Sequence, residues 1–307
     1  MAFSRRREYL FIYSVKDANP NGDPLDANHP RFDEETGQIL VSDVRIKRTV
    51  RDQWLREGEE VFVDGEPKTL VERANEVRKS TSLDDYKKAI PQCIDARIFG
   101  VTFAPNSDKL KKEAFSLTGP VQFKWGRSLH CAESKFVQGT AAFASGEGKE
   151  QRSFRNEYIV PFALISVYGI ANQYSSLKTG ATDEDLDKLF SSLWKGTTNL
   201  ITRSKVGHTP RFLMEVTYVD GFDSAVGSMD EKVCLKSLGG NSLSVDEQLA
   251  LRTLKDARLD MTNLVTKLVA HASNVEKIRI FTDGELETDG MDKFKKVFGE
   301  KLDIGTR

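Results

Sequence analysis

The stretch "VSDVRIKRTVRDQWLR", Val41–Arg56, decides how the remainder of the chain is read. Ser42 or Asp43 offers a side-chain acceptor to the free N–H groups of a helix start. At about 100° per residue, Ile46, Val50, Gln53 and Trp54 share one face, while Arg45, Lys47, Arg48 and Arg51 sweep around the opposite arc. The segment is a helix whose apolar side needs a surface to cover it. It also carries five Lys or Arg against two Asp, a local charge of +3, in a chain of formal net charge −1.

Strands for that surface lie on both sides. Upstream, Tyr9, Phe11, Tyr13 and Val15 alternate with other residues, which predicts a first strand. The arginines of "MAFSRRREYLFIYSV" superficially resemble a secretory leader, but no small-residue cleavage pattern follows. Between strand and helix, "KDANPNGDPLDANHPRFDEETGQ" is a long turn-rich loop with a small hairpin near Gly37. Downstream, residues 57–117 are charge-rich and helical in pieces, notably around Lys68–Lys79. In "TGPVQFKWGRSLH", Val121, Phe123 and Trp125 alternate with Gln122, Lys124 and Gly126, predicting a strand with one buried and one polar face. Residues 131–156 turn small and polar, and Gly146 and Gly148 predict a flexible projection. "NEYIVPFALISVYGI" is nearly continuous in apolar residues and reads as a central strand, with a bulge or an edge at Pro161. Thr182 and Asp185 form a helix cap before Leu186, Leu189, Phe190, Leu193 and Trp194, and "TPRFLMEVTYVDG" is a strand with Phe212, Met214, Val216 and Tyr218 on one side. Beyond it come a helix around Asp260–Ala272, a short strand Lys277–Phe281 and an acidic tail.

The strong elements run strand, helix, strand, strand, helix, strand. That is the α+β, ferredoxin-like (RRM-like) order, in which two helices cover one face of an antiparallel sheet. The open face of such a sheet is an RNA platform in the RRM, although a superfold alone does not settle function.

Composition narrows the classes. With 307 residues, 39% hydrophobic and 30% charged, the chain can build a core, as one elaborated domain or two ordinary ones. No apolar run approaches the ~18 residues of a membrane span. Cys93, Cys131 and Cys234 are odd in number and lack a C-x-x-C pair. His29, His130, His208 and His271 lack ligand spacing, so no disulfide framework, metal or cofactor is expected. Near-neutral bulk charge means that an anionic partner must be held by a local patch.

The ordinary role of the helix cations is a solvated outer face. Three features point further. Only Asp43 and Asp52 can pair locally, so most of the positive charge has no partner within the helix. Lys47 and Arg51 stand one turn apart, like a ladder along a phosphate backbone. The helix start also follows a Gly/Asn/Pro loop, so its N–H groups and dipole face the same region. A polyanion fits better than a nucleotide, because neither G-x-x-x-x-G-K-[ST] nor G-x-G-x-x-G occurs.

The run "NPNGDPLDANHPRFDEETGQILVSDVRIKRTVRD", the strand "TGPVQFKWGRSLH" and "NEYIVPFAL" resemble the backbone subunit of type I CRISPR Cascade complexes, in particular the subtype I-B and I-C branch, over roughly Arg7–Asp220. The resemblance implies a hand-shaped protein. Its ferredoxin-like palm would comprise residues 1–56, 118–130 and 157–220, with a helical fingers insertion at 57–117 and a thumb at 131–156. Residues 221–307 would be a C-terminal extension packed on the palm. It implies copies stacked as a filament along one CRISPR guide RNA, with other Cascade subunits, presenting the guide for pairing with target DNA in the prokaryotic cytoplasm. Carried over by motif, Arg31, Ser42, Lys47 and Arg51 would hold the RNA, with Arg45 and Arg48 flanking them.

On the polar side of the strand that follows the fingers, Gln122, Lys124 and Arg127 are further RNA candidates, against a merely solvated strand face. In the thumb, Phe136, Val137 and Phe143 are the candidates for a wedge that displaces a base, against a contact that pins the loop to its own domain. Lys149, Arg152 and Arg155 could lean toward the target strand. Two rival classes remain. Asp23, Asp26 or Asp33 could make the chain an endoribonuclease, since type III relatives cut target RNA with an Asp in the corresponding loop, although Asp is equally a turn residue. The basic helix could enter a DNA major groove in a repressor, but no preceding helix of helix-turn-helix spacing is present. The sequence favours a non-catalytic scaffold.

Overall fold

The computed structural model describes residues 1–106, 110–144 and 152–307; the side chains of 140–144 and 152–155 lie outside what is described. β1 (Arg7–Ala18) is buried from Arg7 to Val15 because both of its faces are covered. It pairs antiparallel with β8 (Arg152–Ala171) on one side and with β9 (His208–Tyr218) on the other. Beyond β8 lie β5 (Val121–Phe123) and β6 (Gly126–Cys131), and then β2 (Gln38–Val41), which ends a hairpin around Gly37. Beyond β9 the sheet continues through β10 (Val275–Thr282) to β11 (Leu302–Thr306), the latter pair parallel. Among the described residues, ten strands join this one sheet.

Two long helices lie against one face, α1 (Asp43–Arg56) and α4 (Asp183–Thr198). Their apolar sides, Ile46, Val50 and Trp54 with Leu186, Leu189, Phe190, Leu193 and Trp194, share a core with Tyr9, Phe11, Tyr13 and Val15. The helices approach closely at Gly196, where a Cβ would lie 2.7 Å from the Thr49 carbonyl oxygen. The expected capping box at Thr182 and Asp185 starts α4.

The other face of the sheet is not open. Leu10, Ile12, Leu164, Tyr168, Phe212, Met214, Val216 and Tyr218 pack beneath α5 (Thr262–Ala270), α6 (Met291–Phe298), Met229 and Val233. An RRM-style platform on that face is therefore excluded, because the C-terminal residues occupy it. A buried carboxylate fastens them: Glu8 accepts hydrogen bonds from the Tyr168 and Tyr218 hydroxyls and from the Val226 and Gly227 amides. The segment read as an acidic tail in fact contains α6 and β11.

The insertion after α1 has its own small core of Phe62, Ala74, Val77, Tyr86, Ile90 and Phe103. It is not purely helical: α2 (Leu70–Thr81) and α3 (Ile94–Phe99) are joined by the hairpin of β3 (Gly100–Phe103) and β4 (Phe115–Thr118). The expected projection at 131–156 is also a ladder where described, since β7 (Lys135–Ala144) pairs with the first half of β8. Pro161 sits in β8 opposite Asp17, which takes a left-handed φ of 48° between the regular partners Lys16↔Phe162 and Ala18↔Val160. The irregularity at this proline is borne by the partner strand.

Candidate nucleic-acid interface

The start of α1 gathers residues from four separate segments. Ser42 is the cap, its side-chain oxygen accepting from the Arg45 amide at 3.3 Å. The Ser42 amide donates to Asn21 Oδ1 at 2.8 Å, and the Asn21 carbonyl accepts from the Arg31 amide at 3.0 Å. The turn-rich loop is thus laced to the helix start. Arg31 pairs with Asp23 at 3.2 Å and places its guanidinium 5.9 Å from the Trp125 ring centroid. Trp125 is there because Val41 pairs with Gly126, which puts the β5–β6 bend beside the cap. One turn along the helix, Lys47 Nζ donates to Asp43 at 3.1 Å and to Gln122 Oε1 at 3.2 Å.

Ser42 and Arg31 are thus linked through Asn21, and Lys47 bonds Gln122 one turn along the same helix. The other candidates diverge, and the expected solvent-facing arc of the helix is largely occupied. Arg51 lies under the insertion, its Nε donating at 2.8 Å to Asp95, whose side chain is 1% exposed and also accepts the Phe62 and Val63 amides. Lys47 and Arg51 do stand one above the other, over the Phe99 ring at 5.6 and 5.2 Å, but only Lys47 also reaches the polar side of β5. Arg48 pairs with Asp52 and donates to the Asp64 carbonyl at 3.1 Å. Lys124 is held by Asp230 at 3.1 Å and Glu231 at 2.5 Å, tying β5 to the C-terminal residues. Arg127, half exposed, pairs with Asp33 at 2.7 Å.

Arg45 turns to the opposite side of the loop. It donates to Thr49 at 2.9 Å and lines a polar cleft of about 570 Å³ with Asn19, Asn21, Asn28, Arg203 and Lys205. Among the described residues neither Arg45 nor Lys205 has a carboxylate partner. Burial lowers the Arg45 pKa, and burial beside Arg45 brings that of Lys205 down to about 8. Lys205 and Arg203 give no periodic or motif signal, and Asn21 reads only as a turn former, so sequence reasoning missed them. Trp125 was misread as core. β5 ends at Phe123, and the indole is 46% exposed.

In the expected thumb, Phe136 and Val137 are exposed on β7, and Phe136 packs against Tyr158 with ring centroids 5.4 Å apart. Tyr158 in turn meets His29 at 4.5 Å, so Phe136 has a contact to its own domain. The side chains of Phe143, Lys149, Arg152 and Arg155 lie outside the described residues.

With this geometry in place, comparison with known proteins is decisive about ancestry. The family model "CRISPR-associated protein Cas7" matches residues 5–262. The chain belongs to the Cas7 family. It is similar to a CRISPR-associated protein Cas7 of Haloferax volcanii, 31% identical over 315 residues, covering 94% of this chain and 90% of that one. Its fold is similar to a chain of a solved "CRISPR RNA-guided surveillance complex, pre-nicking", with a TM-score of 0.57, 12% identity and coverage of 96% and 100%. A second "CRISPR RNA-guided surveillance complex" gives 0.53, 14%, and 93% and 94%. The two structural matches support the mixed α+β sheet architecture described above.

The loop acids of this Cas7-family chain are engaged. Asp23 accepts from the Leu25 amide at 3.1 Å and pairs with Arg31. Asp33 accepts from the Glu35 and Thr36 amides, and the Arg127 guanidinium, with those turn amides, holds its carboxyl below the usual carboxylate range. Asp26 takes part in the turn through its backbone, its carbonyl accepting from the His29 amide. Among the described residues no group of three His, Cys, Asp or Glu is placed to hold a metal ion, and no helix is long and apolar enough to cross a membrane.

Proposed function

We propose that this Cas7-family chain is a non-catalytic backbone subunit that grips the sugar-phosphate of a CRISPR guide RNA. It recurs along that RNA with other Cascade subunits and leaves the guide free to pair with target DNA, in the cytoplasm of a prokaryote. The observation that carries the reading is one capped helix start with Arg31 tied to its cap through Asn21 and with Lys47 bonded to Gln122 one turn along. Two cations, a hydroxyl, an amide and a helix dipole there suit successive phosphates and sugars. The strands β9, β1, β8 and β5, with α1 and α4 on one face, serve as a ferredoxin-like palm. The insertion after α1 acts as fingers and the β7–β8 hairpin as a thumb. Sequence discrimination then comes from guide pairing rather than from side chains.

An endoribonuclease is the less favoured reading. Asp33 is a weak base when held by Arg127, and Asp23 already neutralises Arg31. The test is to purify the protein and measure mass together with co-purifying nucleic acid. Several copies on one RNA of defined length are expected. The complex is then incubated with complementary labelled RNA and divalent metal. Regularly spaced cuts that disappear in Asp23→Asn, Asp26→Asn or Asp33→Asn would replace the scaffold with the enzyme.

A further inference from the structure

We propose that Trp125 is a stacking platform for one base of the bound single-stranded RNA, a role that rests on the RNA-gripping reading above. A singly exposed apolar residue needs no explanation, so exposure alone decides nothing. The mounting of this indole is what points to a ligand.

The backbone on either side of it is fixed. The Lys124 amide donates to the Tyr168 carbonyl at 2.9 Å, and Gly126 and Arg127 pair with Val41 and Leu40. Residue 126 faces the core so closely that a Cβ there would lie 2.9 Å from Val167 Cγ2. The neighbouring side chain at 125 is consequently turned outward, and it is held there. Arg31 stands 5.9 Å from the ring centroid and keeps a buried Nε that finds no partner among the described residues. Ser42 follows directly on Val41, the partner of Gly126, and the Lys47–Gln122 contact leads away along the polar side of β5.

An aromatic face beside cations and hydroxyl or amide donors is the combination by which proteins hold single strands without reading sequence. The ring takes a base, while the polar groups take the backbone beside it. Such a platform tolerates any guide, because every base has a π-face. Arg31, paired with Asp23 in the free protein, gives the platform a guanidinium that can orient the ring and contact the adjacent phosphate together.

The chain contains three tryptophans, and the other two are buried, Trp54 at 0% and Trp194 at 7% exposure. Emission changes on adding RNA therefore report Trp125. The full-length protein is titrated with fluorescently labelled single-stranded RNA of mixed sequence, following label anisotropy for binding and tryptophan emission for stacking. Saturation should quench emission in the wild type and not in Trp125→Leu. That variant should bind from about fivefold to about a hundredfold more weakly, the range expected for one lost stack. Its dependence on salt should be unchanged, because no phosphate contact is lost. Trp125→Phe, which keeps a π-face, should retain most of the affinity and guards against a folding defect.

Binding by anisotropy without quenching, with Trp125→Leu as tight as the wild type, overturns the stack and leaves the RNA reading intact. Unaltered RNA affinity together with weakened association between copies also overturns it, and makes the indole a protein contact. No binding by the wild type at any accessible concentration overturns the RNA reading, and the stack with it.

Discussion

Two residues four apart on α1 separate what the helix offers a ligand from what it needs for itself. Lys47 ends among Asp43, Gln122 and the Phe99 ring, at the rim of the helix start. Arg51 is committed to Asp95, whose side chain is 1% exposed. Removing one member of such a buried pair leaves the other poorly compensated, so Arg51→Ala should cost ~3 kcal/mol in denaturant unfolding. Lys47→Ala should leave stability nearly unchanged and reduce the salt slope of RNA binding by about 0.7, one phosphate contact on a single strand. Equal stability losses in both variants would show that neither is specialised. The helix itself was legible because its apolar residues keep a strict period. The fate of Arg51 was not, because Asp95 lies in a charge-rich stretch where any of many acids could have been its partner. His208 is a second residue whose behaviour only the fold reveals. Burial, with the Lys205 charge beside it, pushes its pKa down to about 3. Its Nδ1 contacts the Lys205 carbonyl, and its ring stacks on Tyr13. The unfolded imidazole titrates near ~6.5. Below that pH the unfolded chain binds a proton that the folded chain refuses, so stability is complete above about pH 6.5 and declines toward pH 3. The decline should approach ~1.4 kcal/mol per pH unit. Burial of His130 acts in the same direction. Chemical denaturation from pH 7 to 4 should show a shallower acid limb in His208→Gln, and an identical limb would refute the assignment.

Elements with a strong single period were readable, and elements defined by what covers them were not. β1, β9 and α4 emerged from alternation and spacing because their neighbours impose those periods on the sequence. The β5–β6 region was blurred, since the alternation carries on through Trp125 although the strand stops two residues earlier. The β3–β4 hairpin was hidden in a charge-rich stretch, and β7, KFVQGTAAFA, among small residues that carry little β signal. At the C-terminus the helix around Asp260–Ala272 and the strand Lys277–Phe281 were legible and are α5 and β10, whereas α6 and β11 were read as an acidic tail. Phe212, Met214, Val216 and Tyr218 predicted one apolar side of β9, and the resemblance implied an extension packed on the palm, but no spacing said that α5 and α6 would cover this side. That cover is a requirement of the fold. A chain truncated after residue 220 loses α5, α6 and β10, and also strips Glu8 of the Val226 and Gly227 amides while leaving its carboxylate between Tyr168 and Tyr218. Buried apolar surface on three strands, β1, β8 and β9, would be exposed at once. The fragment is expected to be insoluble or to lack a cooperative thermal transition, even though it keeps every residue proposed to touch RNA. A soluble fragment melting cooperatively would mean that the sheet does not depend on its cover.

At the scale of the molecule, the distribution of charge bears on assembly. The net charge is −1, and the final stretch from Asp283 to Asp303 carries seven acids against four lysines, while α1 and its preceding strand end hold +3. Many other ionic groups among the described residues are paired in place, as Lys124 is with Asp230 and Glu231 and Arg211 with Asp283 and Glu285. Copies can therefore approach one another without strong repulsion, and RNA adds its charge where cations are concentrated. A heterologous contact between copies that does not close on itself gives an open array rather than a ring. The protein alone should accordingly be monomeric or irregularly associated, and RNA should order it head to tail. Because each copy needs its own length of backbone to grip, the number bound should rise stepwise with RNA length. Deleting 138–150 would remove most of β7 while sparing the α1 start, so it should lower cooperativity between copies more than the affinity of one copy for a short RNA. Analytical ultracentrifugation with RNAs of increasing length measures both quantities. A fixed dimer at every length would exclude the filament, and a deletion that weakens single-copy binding as much as cooperativity would place the hairpin in the grip itself.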